Sequence, residues 1–80
     1  MQSNVEKQVK AMMAGHLSVN ENQLGDEVQL VDDLYIDSLD LLDIVISLND
    51  KFGIDLGGDE IVDFKTVADI CRAVQKQLFP

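Results

Sequence analysis

The sequence predicts a small all-α fold, a three-to-four-helix bundle with a long loop between the first and second helices. Three observations carry this reading. Apolar residues recur at helical spacing in three separate stretches. Each of these stretches opens on a residue suited to capping a helix N-terminus. No stretch sustains the period-2 alternation of a half-buried strand, and there is no internal repeat or low-complexity segment.

Ser3 and Glu6 have the spacing of a capping box, after which Val5, Val9, Met12, Met13, His16 and Leu17 keep one face apolar. The first helix is therefore expected from about residue 3 to 16. His16, the sole histidine, falls near its C-terminus, where a partial positive charge is favourable. From Ser18 to Asp37 the period is lost, interrupted by Asn20, Asn22, Gly25 and Asp26; Leu24, Val28, Leu30, Val31 and Leu34 are available to pin this connection to the core.

Asp37 then suits the N-cap of the second helix, with Ser38 at N1 and Asp40 at N3, and that helix is expected to stop near Gly53. At about 100° per residue, Leu41, Ile44, Val45, Leu48 and Phe52 share one stripe, the spacing of a core-facing surface. Leu39, Leu42 and Ile46 form a second stripe roughly 140° away, bordered by Asp40, Asp43 and Asp50. Either a bundle wraps the helix and buries both stripes, or the second is an interaction surface. Gly57-Gly58 marks a turn, and Asp59 to Phe64 is long enough for one or two helical turns. Thr66 and Asp69 repeat the capping-box spacing before Val67, Ile70, Cys71, Val74 and Leu78, the apolar face of a last helix ending near Leu78.

Eighty residues make one domain, 1–80, with no room for a second catalytic unit. With 15 acidic and 6 basic side chains, and only Lys51 and Lys65 as cations between Asp26 and Asp69, the chain is a poor nucleic-acid binder. Its natural complement is a basic patch on a partner protein. Cys71 is the only cysteine, so no intrachain disulfide forms, and its neighbours Ile70 and Val74 suggest a buried packing thiol. No apolar run reaches transmembrane length, and the N-terminus lacks the pattern of a signal peptide. The expectation is a cytoplasmic monomer.

Ser38 does not read as a hydrolase nucleophile, because the one histidine is distant in sequence and there is no Gly-x-Ser-x-Gly elbow. Frames starting at Asn49, Asp50 or Asp55 fail the ligand pattern of an EF-hand, so no dedicated metal site is indicated. By residue type alone Ser38 is an ordinary polar group at a helix start. The segment as a whole says more. Asp33-Leu34-Tyr35-Ile36-Asp37-Ser38-Leu39-Asp40 resembles the modification site of acyl carrier proteins, usually Asp-Leu-Gly-x-Asp-Ser-Leu. The similarity extends over nearly the full chain: the first amphipathic helix, Leu30-Val31 before Asp32-Asp33-Leu34, Lys51-Phe52-Gly53-Ile54, and Thr66-Val67.

This resemblance implies that Ser38 is the attachment point for 4′-phosphopantetheine, transferred from coenzyme A by a phosphopantetheinyl transferase with a magnesium ion. The arm's thiol, not Cys71, would carry an acyl chain as a thioester, and the protein itself would catalyse nothing. It also implies that Asp37, Asp40, Asp43 and Asp50 meet basic docking patches on acyl-processing enzymes of fatty acid or related lipid or polyketide synthesis, while Leu39, Leu42 and Ile46 make the apolar contacts. The apolar interior would shelter the acyl cargo. Two departures point to a specialised carrier: Tyr35 replaces the usual motif glycine, and Asn49 stands where an acid is common. The alternatives are an aminoacyl or D-alanyl carrier, or an unmodified acidic helical adaptor.

Overall fold

The computed structural model describes residues 2–79, with side chains from Asn4 onward. Four α-helices follow in order: α1 (Gln2–Leu17), α2 (Ser38–Phe52), α3 (Gly58–Ile61) and α4 (Val67–Leu78). The three long helices match the expected ranges to about a residue, since each has a local apolar period, and α2 and α4 also open on the expected caps Asp37 and Thr66. The capping arrangement expected at Ser3 lies outside the described side chains.

Each long helix contributes one stripe to a common core. Val5, Val9 and Met13 come from α1, Ile44, Val45 and Leu48 from α2, and Val67, Ile70, Cys71 and Val74 from α4, all buried. Leu41 and Phe52, expected on the core stripe of α2, pack at its margin. Met12 and Leu17 do the same for α1, whereas His16 is exposed and bonds through Nε2 to Ser47 Oγ of α2 at 3.0 Å. At α4, Thr66 Oγ1 accepts from the Asp69 backbone N–H while Asp69 Oδ2 accepts from those of Thr66 and Lys65. The bond from Lys65 is the main reason the Asp69 carboxyl titrates below its ordinary range.

The long loop is held from both ends. A 3-10 turn at Glu21–Gln23, not anticipated from the sequence, is capped by Asn20. Beyond it, the Leu30 N–H donates to Lys65 O and the Val67 N–H to Val28 O, forming an isolated antiparallel bridge between Gln29 and Thr66. Lys10 pairs with Asp26 at 3.0 Å, fastening the loop to α1. Leu24 and Leu30 are buried as expected and Val28 and Leu34 half-buried, but Val31 is 66% exposed. That expectation is corrected for a geometric reason: the Ile36 N–H returns to Leu30 O, so the chain turns back between two buried residues and Val31 lies on the outside of the turn.

α2 ends where Gly53 adopts φ 65°, a left-handed conformation that glycine takes without steric cost. Asn49 explains itself in the next turn. Its Oδ1 accepts from the Leu56 N–H at 2.8 Å and its Nδ2 donates to Leu56 O at 3.2 Å, a paired bond that a carboxylate could not complete.

Burial pushes the Cys71 thiol up from its ordinary 9.0 to about 11. The neutral thiol's contribution to stability is complete below about pH 9 and is lost as pH rises toward 11. At pH 8 the folded chain should be alkylated at Cys71 at least on the order of 100-fold more slowly than in denaturant, because much less thiolate is present and the buried sulfur is shielded from the reagent. Iodoacetamide labelling followed by mass spectrometry checks this; equal rates would mean that the core opens easily around α4.

Candidate functional site

The region around Ser38 is built from its flanks inward. Ile36 is buried and its N–H donates to Leu30 O at 2.9 Å, which anchors the chain two residues before the serine. Asp37 is extended, its Oδ1 accepting from the Asp40 N–H at 2.9 Å and its carbonyl from the Leu41 N–H at 3.0 Å. Both acceptors of the expected N-cap are therefore in place. The N–H groups of Ser38 and Leu39 have no acceptor among the described residues, as the first turn of a helix leaves them. Ser38 is exposed at the first position of α2. Its hydroxyl is open to a second molecule, with the positive end of the helix dipole behind it.

The second apolar stripe of α2 lies outside the bundle. Leu39 is 72%, Ile46 63% and Leu42 43% exposed, because α1 and α4 take only the opposite face of the helix. Asp37, Asp40, Asp43 and Asp50 are all exposed beside it, and none forms an ion pair among the described residues. The nearest cation in sequence, Lys51, stands 6.0 Å over the Phe52 ring instead. The result is an apolar strip in an uncompensated negative field. Among the described residues no group of three or more His, Cys, Asp or Glu side chains could hold a metal ion, and no helix is long and apolar enough to cross a membrane.

One feature of the site was not legible in the sequence. Tyr35, three residues before Ser38, has φ 56°, a region that bulky side chains rarely occupy. A glycine in the usual motif would suit this backbone, and that was the available signal, but the substitution alone said nothing about conformation. The ring is 84% exposed.

Comparison with known proteins bears on the family and the fold. A family model described as a phosphopantetheine attachment site matches residues 7–74. The acyl carrier protein of Thermotoga maritima is 37% identical over 70 residues, covering 88% of this chain and 86% of the relative. That of Thermosynechococcus vestitus is 35% identical over 77 residues, covering 96% and 95%. The solved structure of the Enterococcus faecalis acyl carrier protein superposes with a TM-score of 0.80 over 96% of this chain and 98% of that one; at 22% identity it bears on the fold. The chain belongs to the acyl carrier proteins, a family of carriers rather than enzymes that bear a covalently attached 4′-phosphopantetheine.

Proposed function

We propose that residues 1–80 form one cytoplasmic, monomeric carrier domain whose Ser38 takes the prosthetic group and whose α2 strip docks the enzymes that use it. The observation that carries this reading is the exposed Ser38 at the capped start of α2. The residues fit the group. Ser38 Oγ is open, the unpaired N–H groups of the first helical turn favour a phosphodiester, and Asp37 is occupied by its capping bond. Asp40 opposes that charge, so a basic surface on the transferase has two tasks, attracting the carrier and offsetting the carboxylates around the serine.

In loading, Ser38 Oγ gives up its proton and bonds to the phosphorus that carries pantetheine, displacing adenosine 3′,5′-bisphosphate from coenzyme A. Once attached, the arm supplies a thiol that holds an acyl chain as a thioester. Leu39, Leu42 and Ile46, with Asp37, Asp40, Asp43 and Asp50 around them, present that cargo to enzymes of fatty acid or related lipid or polyketide synthesis.

Incubation with coenzyme A, magnesium and a broad-specificity phosphopantetheinyl transferase tests the assignment. Intact mass should rise by one phosphopantetheine in the native chain and not at all in Ser38→Ala, whose circular dichroism should be unchanged. Addition to Ser38→Ala would place the attachment elsewhere.

A further inference from the structure

Tyr35 combines two unfavourable features. Its backbone is left-handed, which is costly for a bulky residue, and its ring lies largely outside the core, which returns little of that cost. The conformation is enforced on both sides, by the Tyr35 N–H donating to Val31 O and by the burial of Ile36. A surface residue held this way is positioned for something other than stability. It lines a cleft of about 330 Å³ in the long loop, together with Val19, Val28, Leu34, Gln23 and Asp33.

We propose that this cleft is a cradle for the neutral part of the pantetheine arm, with Tyr35 as the wall nearest the attachment point. The inference rests on attachment at Ser38. Three residues of extended chain span at most about 10 Å, so an arm leaving Ser38 starts within reach of the ring. The lining offers both apolar and hydrogen-bonding groups, as the arm requires. Next to its phosphate, pantetheine carries a carbon bearing two methyl groups, which suits Tyr35, Leu34, Val28 and Val19. Its two amides follow. Asp33 Oδ2 already accepts from the Gln29 N–H, leaving Oδ1 to accept from an arm N–H, and Gln23 Oε1 accepts from the Asn20 N–H, leaving its Nε2 to donate to an arm carbonyl. The tether makes the contact intramolecular, so a weak fit is still populated. An arm resting there is withdrawn from solvent between encounters and pre-oriented toward the loop side of α2.

Tyr35 is the only tyrosine in a chain without tryptophan, so its ring signals need only be distinguished from those of three phenylalanines and one histidine. Proton NMR of the full-length protein, loaded from coenzyme A and verified at Ser38 by mass, should show both methyl resonances of the arm shifted upfield from those of free coenzyme A. They should also show cross-peaks to the Tyr35 ring. Both effects should vanish in Tyr35→Asn, a variant that keeps a side chain tolerant of the left-handed backbone and should melt no lower than the native chain. Loading at Ser38 with methyl resonances as in free coenzyme A overturns the cradle alone, and leaves the exposed ring as a contact for a partner enzyme. Loading elsewhere, or none, overturns the assignment of Ser38 and the cradle with it.

Discussion

Asp43→Lys/Asp50→Lys should be loaded by the phosphopantetheinyl transferase with a kcat/KM about 10- to 100-fold below that of the native chain at low salt, within the range by which charge steering changes association rates. The two positions isolate docking from folding. Both side chains are exposed, neither forms an ion pair among the described residues or caps the helix, and Asp50 lies in the last turn of α2, where a lysine suits the dipole. Asp37 would be a poorer choice, since replacing it removes the bond to the Asp40 N–H. In 1 M salt the Debye length falls to about 3 Å, and the difference between variant and native chain should shrink. Initial rates of holo-protein formation at both salt concentrations check this. Equal rates at low salt would remove these carboxylates from the docking surface.

Leu48→Ala should destabilise the fold by about 2–5 kcal/mol, the range for truncating a buried leucine. Leu48 is fully buried in the middle of the core stripe of α2, in a helix that packs against both α1 and α4. Eighty residues support roughly 4–12 kcal/mol in total, so the loss is a large share of the whole. A thermal melt should fall by at least about 8 °C, given about 4–8 °C per kcal/mol for a domain of this size. Leu42→Ala, on the exposed strip, should stay within about 0.5 kcal/mol of the native chain. The contrast matters more than either value. If the two variants melted alike, the division of α2 into a core face and an open face would be wrong.

That division was half visible beforehand. Periodicity separated the two stripes of α2, because the angle between side chains on a helix is fixed by backbone geometry. It did not say which stripe the other helices would cover. Val31 shows the same limit: it belongs to an apolar set in which Leu24 and Leu30 are buried, yet it lies on the outside of a turn closed by the bond from Ile36 to Leu30. Asn49 looked like a missing charge and proved to be a bidentate partner for the Leu56 backbone.

What depends on neighbours along the chain was legible in the sequence: the extents of the long helices, the Asp37 and Thr66 caps, the stop at Gly53, and the acidic balance. The motif around Ser38 was equally local, so the likeness to acyl carrier proteins could be read from it. Tertiary structure alone decided the exposure of Leu39, Leu42 and Ile46, the left-handed turn at Tyr35 and the cleft behind it. These depend on where α1, α4 and the long loop meet, and contacts between residues far apart in sequence leave no periodic trace in any one segment.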